Sequence, residues 1–450
     1  PPSPPGGVAA PPPPPFPAPP SGPAASMLIG ALVLLGTALL LLAESRARRA
    51  IHPLWLLGLA LGAIPILLHG WWWPAIGSIA PRGTLGHQRI GIPCLAAVAA
   101  AISVAHACRH AATRRLVTGV LLAFVTLLAL RGLQQVFIEH PATVAAFNAN
   151  REAELAARGW SPDSPMAQAY QRRLMQAEAT GWFGLSNVYA SFAAFAAAVS
   201  LAWLVGSLRA PRPTSPREKP SRIPAVALPA LTLLLALAAT ALAASKGGVI
   251  VAILAIGFGL ALIRPLAARL APLRSIIGPA CIVGVLIAVA LRGVIGERLG
   301  ELSILFRWFY MQASGRIIAA HPLTGVGIGN FNERYPDYFV RTEFRYSQGH
   351  AHNYYIHAAA ETGVIGLAAY LALVVSGMWS AILATRRAQD RLGRAIGIGA
   401  VGVTTALVTH NVVENLHVLN LGIQLSAIWA MAVISYRFLP ADVDTQPNRA

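Results

Sequence analysis

A series of long apolar runs is the feature that most constrains how this chain can fold. Eleven of them approach the ~20 residues that a helix needs to cross a bilayer, and they lie near residues 27–43, 54–70, 90–107, 116–138, 182–206, 223–244, 247–263, 276–295, 362–384, 395–413 and 418–437. Lipid offers no partner for backbone polar groups, so each run must satisfy its own hydrogen bonds as a helix. Only 12% of the residues are charged, against about 25% in soluble domains. The sequence therefore predicts an all-α, polytopic integral membrane protein with about 11–12 transmembrane helices.

The charges of the connecting loops alternate along the chain. One set of loops carries twenty Lys and Arg residues against five acids, whereas the other set carries fifteen against twelve. Cytoplasmic loops hold the excess of Lys and Arg, so we expect the first set inside and the second set outside. The net charge of +18 is then mostly a topology signal, and we expect no nucleic-acid partner.

The two ends of the chain are predicted to lie outside the membrane domain, which spans residues 27–437. Residues 1–26 hold thirteen prolines and no charged residue. Such a segment cannot bury a core, and we expect a disordered tail with polyproline II character. Residues 438–450 are predicted to form a cytoplasmic tail. The cysteines Cys94, Cys108 and Cys281 lie in or beside apolar runs and indicate buried small residues, not a disulfide framework.

Two predicted external segments are too long to be simple connections. Residues 139–181 show helical periodicity, with Ser161 or Ser164 as a possible N-cap, and are interpreted as a lid lying on the membrane face. Residues 296–361 carry most of the polar chemistry. Long loops in compact proteins are usually functional or disordered, so we place the catalytic loop in this second segment.

Three features of the second segment point to chemistry. Arg307 lies on a predicted amphipathic helix, and the glycine-spaced turn at 321–331 lets the backbone approach another group closely. The cluster His350-Ala351-His352-Asn353 precedes the ninth span. A histidine can accept a proton near neutral pH, so His352 is predicted to activate an acceptor, with His350 as the alternative base. The two histidines could instead be structural, or could bind a transition metal with His357 nearby.

These motifs as a set resemble the bacterial O-antigen ligase and polymerase superfamily of integral membrane glycosyltransferases. The resemblance rests on Arg307, the turn from His321 to Phe331, the HAHN cluster at 350–353 and the E-x-G triplet at 361–363. Two earlier motifs also fit, the turn Ser245-Lys246-Gly247-Gly248 and the stretch Gly181-Trp182-Phe183-Gly184-Leu185-Ser186-Asn187. The first has Lys where the family usually has Arg.

The resemblance implies transfer of a glycan from undecaprenyl diphosphate to an acceptor outside the bacterial inner membrane, with inversion and without a metal or cofactor. The residues agree with this chemistry, because a diphosphate leaving group needs cations where negative charge develops. The candidate diphosphate-binding residues are Lys246, Arg307, Arg316 and Arg345, and Arg131 is a further cation at the outer face. We expect no metal ligand set, because the outer loops show no acidic cluster in sequence for Mg²⁺.

Several alternatives stay open at this point. Lipid A core, a growing polysaccharide chain and a protein side chain all qualify as acceptors, which correspond to ligase, polymerase and protein O-oligosaccharyltransferase. A transporter of lipid-linked glycans would need charges at mid-membrane and inverted repeats, which the sequence does not show. The polar pairs His410-Asn411 and Glu414-Asn415, at the outer end of the tenth span, are either functional or helix-to-helix hydrogen-bonding groups.

Overall fold

A computed structural model describes residues 31–40, 86–183, 186–208, 222–245, 302–341, 350–415 and 421–437, with isolated positions between 253 and 298. Several predictions lie outside these residues. They are the two tails at 1–26 and 438–450, the spans at 54–70, 247–263 and 276–295 apart from those isolated positions, and the cations Lys246 and Arg345.

Every long regular element among the described residues is an α-helix, and those residues contain no strand. The main helices are α1 (Gly86–Ala107), α2 (Ala111–Gln134), α3 (His140–Ala149), α4 (Arg151–Ala157), α5 (Pro165–Leu174), α6 (Ser186–Leu208), α7 (Arg222–Leu242), α8 (Leu302–Ala320), α9 (Tyr354–Arg387), α10 (Arg391–His410) and α11 (Leu421–Arg437). The all-α fold class is therefore confirmed.

Among the residues that the structure describes, four helical stretches are long and apolar enough to cross a membrane. They are Ala112–Ala149, Ser186–Val205, Tyr354–Arg387 and Arg391–His410, and shorter apolar helices occur at Ala31–Leu40, Leu95–Ala107 and Val226–Leu242. Exposed leucine and valine side chains line one face of α2 at helical spacing, including Leu116, Val120, Leu127 and Leu130. An apolar face of this size is typical of contact with lipid. The chain is a polytopic membrane protein.

Close packing of small side chains builds the core of the bundle. Helix α6 packs against α7 and α10, α9 packs against α10 and α11, and α11 also packs against α1. Many of the fully buried positions on α6 are alanine, among them Ala190, Ala194 and Ala197. Small residues let helix backbones approach closely, which drives helix association in membranes.

Side chains near the two ends of α2 hold other described segments of the chain in place. At one end, Arg114 forms an ion pair with Asp390, and both belong to the loops predicted inside. At the other end, the Gln135 side chain accepts hydrogen bonds from the backbone N–H groups of Thr180 (3.0 Å) and Gly181 (2.8 Å). Residue 135 lies near the outer end of the predicted span 116–138, and residues 180–181 end the segment predicted outside. Each contact joins residues that the loop charges predict to lie toward the same side of the membrane.

The first long external segment begins as a continuation of the membrane helix. A π-helical turn, Gln135–Glu139, joins α2 directly to α3, so the helix runs on to Ala149 instead of ending near residue 138. Pro141 explains the turn, because a proline ring clashes with the carbonyl four residues earlier and a widened turn relieves that clash. Further along, Ser164 caps α5 by accepting a hydrogen bond from Ala167 N–H (3.3 Å), as predicted.

Candidate functional site

Helix α8 provides one wall of the candidate site. It begins at Leu302 and ends at Ala320, immediately before the His-Pro dipeptide. Its Tyr310 and Ile317 side chains are buried in a small apolar cluster with Phe331 and Tyr335 from the segment that follows. This cluster fixes the helix, and with it Arg307, against the first part of α9.

The glycine-spaced turn after α8 packs directly onto α9. Gly325, with φ +66°, lies so close that a Cβ there would meet the Glu361 carbonyl carbon at 2.3 Å, and Gly363, with φ +67°, would meet the Leu323 oxygen at 2.0 Å. The Val326 N–H donates to the Ala360 carbonyl at 3.0 Å. Only glycine tolerates both the left-handed backbone and this approach. The turn therefore serves backbone-to-backbone packing.

The buried side chain of Glu361, in the E-x-G triplet, holds the same turn in place through hydrogen bonds. Its carboxylate accepts a hydrogen bond from the Phe331 N–H at 3.2 Å and another from the Gly329 N–H. Its own backbone oxygen accepts from the Gly327 N–H at 2.9 Å. The triplet also breaks α9, because Gly363 has non-helical backbone angles inside that helix. The predicted ninth span is therefore preceded by a separate helical segment starting at Tyr354.

The HAHN cluster is held against the end of α10. Asn353 caps α9 by accepting from the Ile356 N–H at 3.1 Å, and its amide donates to the Val412 carbonyl at 3.0 Å. The Tyr354 N–H donates to the Asn411 carbonyl at 2.8 Å. These bonds join two segments that are about sixty residues apart in sequence.

His352 occupies the centre of the site and has an unusual backbone. Its φ of +50° is left-handed, a conformation that non-glycine residues rarely adopt. Such strain persists only where the surroundings impose it, and it is concentrated at functional sites. The ring lies parallel to that of Tyr310, with centroids 5.9 Å apart. Its Nδ1 lies 2.9 Å from Oε1 of Glu414.

Arg307 approaches the same carboxylate from the other side. Its Nη2 lies 3.3 Å from Glu414 Oε2, and its Nη1 lies 3.4 Å from the Val413 carbonyl. Burial raises the pKa of Glu414, but the hydrogen bond from His352 and the nearby positive charges outweigh it and lower that pKa to about 2. The carboxylate is therefore ionised at any physiological pH. An ionised carboxylate can only accept, so the proton in the His352 pair resides on Nδ1.

His350 lies beside this pair but makes a different bond. Its Nδ1 accepts the His352 backbone N–H at 3.2 Å, and so cannot donate to Glu414 Oε1, which is 3.7 Å away. Burial lowers the pKa of His350 to about 4; His352 and Arg307 act in the same direction, whereas Glu414 opposes them. His350 is therefore neutral near pH 7.

The other predicted cations lie apart from this group. Arg316 follows Arg307 by nine residues, which on a helix is about 13 Å along the axis and on the opposite face, and it donates to the Phe339 carbonyl at 2.9 Å. Arg131 is paired with Glu139. Of the predicted diphosphate-binding residues that the structure describes, only Arg307 contacts the His352 and Glu414 pair.

Two further motifs from the sequence meet each other at the same end of the bundle. The Ser245 hydroxyl of the S-K-G-G turn donates to the Asn187 side chain, which closes the G-W-F-G-L-S-N stretch. One turn along α6, the Ser191 hydroxyl lies 3.4 Å from His410 Nδ1. His410 thus behaves as a helix-to-helix hydrogen-bonding group. Asn411 does the same, because its amide donates to the Tyr370 hydroxyl at 2.9 Å.

Glu414 is the residue that the sequence did not assign to the site. Its only signal was an acidic residue at the end of an apolar span, which fits a helix-to-helix contact equally well. His350, His352 and Glu414 also present ligand atoms within 4.8 Å of one another, a spacing compatible with a metal ion. Here Arg307 already neutralises the carboxylate, and the His350 nitrogen accepts a backbone hydrogen bond.

The fold and the site together define a polytopic membrane protein with an arginine, a histidine and a carboxylate assembled at one end of its bundle. The family comparison makes this class more specific. Residues 231–371 match the family model described as O-antigen ligase, a range that contains Arg307, the glycine turn, the HAHN cluster and the E-x-G triplet. The predicted resemblance to the O-antigen ligase superfamily is therefore confirmed over residues 231–371. No curated protein matches the chain.

Proposed function

We propose that this protein transfers a glycan from undecaprenyl diphosphate to an acceptor hydroxyl at the periplasmic face of the bacterial inner membrane. In the reaction, the acceptor oxygen attacks the anomeric carbon from the face opposite the diphosphate and forms the new glycosidic bond. The bond from that carbon to the phosphate oxygen breaks, and undecaprenyl diphosphate leaves with the electron pair. The configuration at the anomeric carbon is inverted.

His352 is the general base in this proposal. Because its Nδ1–H is donated to the ionised Glu414 at 2.9 Å, the lone pair of the neutral imidazole is on Nε2. That nitrogen takes the acceptor proton as the glycosidic bond forms. Glu414 orients the ring and stabilises the imidazolium, which is the role of the carboxylate in histidine dyads generally. This geometry is the observation that carries the proposal.

Arg307 and Lys246 would stabilise the departing diphosphate. The Arg307 side chain is 32% exposed, and its guanidinium lies 3.3 Å from Glu414 Oε2. Lys246 follows Ser245 in sequence, and the Ser245 hydroxyl donates to the Asn187 side chain at the start of α6. Arginine binds phosphate oxygens bidentately and lysine acts as a point charge. Arg316 would then contact the donor away from the reacting carbon. Arg345, which lies outside the described residues, stays a predicted diphosphate contact.

The expected acceptors are those of the superfamily, namely lipid A core, a growing polysaccharide or a protein side chain. The donor tail would lie in the bilayer between the helices, and the transferred sugar would lie outside. The exposed apolar face of α2 supports a lipid-embedded chain. Offering the purified enzyme one donor with each acceptor class in turn would separate ligase, polymerase and protein-glycosylating activities.

The central test is transfer by the purified enzyme with a lipid-linked glycan donor, comparing wild type with His352→Gln. Glutamine keeps a hydrogen-bonding group but cannot accept the proton, so turnover should fall by about 10²–10⁴-fold while donor binding stays close to that of wild type. Lys246→Ala should lower turnover less, and Lys246→Arg should be tolerated. EDTA should leave turnover unchanged. Wild-type turnover in His352→Gln would exclude this residue as the base.

A further inference from the structure

The three side chains around Glu414 have the spacing of a transition-metal site as well as that of a catalytic dyad. His352 Nδ1 is 2.9 Å and His350 Nδ1 is 3.7 Å from Glu414 Oε1. Ligand atoms that surround Zn²⁺ tetrahedrally at ~2.0–2.2 Å are about 3.3–3.6 Å from one another. The three atoms lie within 4.8 Å of one another, so a divalent ion fits between them once His350 Nδ1 releases the His352 backbone N–H that it accepts at 3.2 Å.

We propose that His350, His352 and Glu414 form a binding site for Zn²⁺ or a similar borderline divalent ion, and that the bound ion inhibits the enzyme. The inhibition rests on the proposed function, whereas the binding does not. Two imidazoles and one carboxylate suit Zn²⁺, while Mg²⁺ and Ca²⁺ prefer oxygen ligands. Sequence spacing offered the H-x-H pair with His357 nearby, and the packing of the α10 end against this pair supplies the acidic ligand Glu414.

The proposed inhibition follows from the tautomer of His352. In the absence of an ion, the Nδ1–H is donated to Glu414 and Nε2 carries the lone pair that accepts a proton. An ion on Nδ1 replaces that proton, which moves to Nε2. The ring then has no lone pair facing the acceptor, so it cannot act as a base. The ion also neutralises the carboxylate that would stabilise the imidazolium.

The backbone prepares the site before any ion arrives. The left-handed φ of His352 brings the two histidine rings together, with centroids 4.2 Å apart. The side chains of His350, His352 and Glu414 are only 19%, 15% and 8% exposed, so little ordering is left to be done on binding. Arg307 contacts Oε2 and leaves Oε1 toward the histidines. Its positive charge opposes the ion and limits the affinity.

The binding test is a Zn²⁺ titration of the purified full-length chain in competition with a chromophoric chelator. His350→Ala and Glu414→Gln should each weaken binding by about tenfold or more. Arg307→Gln should tighten it by about tenfold or more, because a like charge is removed. His321→Ala is the matched control, since His321 is an external histidine engaged with Tyr338 at 3.1 Å, and it should bind as wild type does. Equal affinities across all four variants would overturn the site.

Transfer measured at increasing Zn²⁺ tests the second half of the proposal. Wild type should lose activity and regain it with EDTA, and His350→Ala should need at least about tenfold more Zn²⁺ for the same fractional loss. Unchanged transfer at a Zn²⁺ concentration that saturates the chelator assay would overturn the inhibition. A wild-type protein that binds Zn²⁺ but transfers no glycan in metal-free buffer would refute the proposed function and leave the metal site standing.

Discussion

Replacing Glu414 with glutamine should disable transfer while leaving the site almost unchanged in shape. Glutamine is nearly isosteric, but it is neutral and its amide can present a donor to His352 instead of an acceptor. The imidazole ring of His352 can then flip, or it can adopt the other tautomer, in which the proton is on Nε2, the nitrogen that faces the acceptor. Both outcomes remove the lone pair that the base needs.

The size of the effect can be worked from the structure. The pKa of Glu414 falls from 4.5 to about 2 despite burial. At about 1.4 kcal/mol per pKa unit, this corresponds to roughly 3 kcal/mol of net preference for the ionised carboxylate. The preference is shared among His352, Arg307 and His350. The part due to His352 is what the imidazolium loses, on the order of 1 kcal/mol, which slows the step several-fold. Loss of the correct tautomer adds to this, for a total of about 10²–10³-fold.

The assay is kcat for glycan transfer by the purified Glu414→Gln variant with a lipid-linked donor. Glu333→Gln is the matched control, because Glu333 is exposed in the same external segment. The unfolding temperature of Glu333→Gln should stay close to that of wild type. That of Glu414→Gln should fall, because the ionised carboxylate stabilises the fold, and a single cooperative transition above the assay temperature shows that the fold is retained. A folded Glu414→Gln protein with wild-type kcat would refute the reasoning about the dyad.

Four further predictions use other parts of the molecule. Arg307→Ala should lower kcat by about 10²–10³-fold and Arg307→Lys by less, as measured in the same transfer assay. Gly363→Ala should lower the unfolding temperature, because its Cβ would meet the Leu323 oxygen at 2.0 Å and the left-handed backbone costs ~1–3 kcal/mol; an unchanged midpoint would argue against the packing of the turn. The folded-state pKa of His350, about 4, lies below its ordinary 6.5, so the unfolded chain takes up a proton first as the pH is lowered. The free energy of unfolding should therefore fall as the pH decreases from 6.5 to 4. Thermal unfolding of a His350→Asn variant across that range should show a smaller dependence of stability on pH. A cysteine at Asn332, which is exposed, should react with an impermeant reagent from outside intact cells, above the level of the parent chain; labelling only after permeabilisation would reverse the topology.

The fold class was predictable because a bilayer leaves the backbone no alternative. Apolar runs of this length have to be helical, and the loop charges assign their sides. Local signals were equally readable where they depend on neighbouring residues. Ser164 caps its helix as predicted, and the glycines at 325 and 363 mark a close backbone contact.

The parts of the site that escaped prediction depend on contacts between distant segments. Nothing near His352 in sequence indicates that Glu414 is its partner, because packing of α9 against α10 brings them together. Arg316 was predicted with Arg307 as a cation of the outer face, yet nine residues of helix turn it to the opposite side of α8. The continuation of α2 to Ala149 was missed because Pro141 is usually a stop signal, and the π-helical turn absorbs it.

The distance in sequence between the histidine and its carboxylate has a consequence for engineering. The family match stops at residue 371, within α9, whereas Glu414 follows the next helix. A chimera that grafts only the matched segment into a related scaffold would import the base, the arginine and the glycine turn. It would depend on the host for the acidic partner and for the loop that carries it. Exchanges meant to alter acceptor choice should therefore keep the crossover point beyond residue 415, so that both halves of the dyad come from one parent.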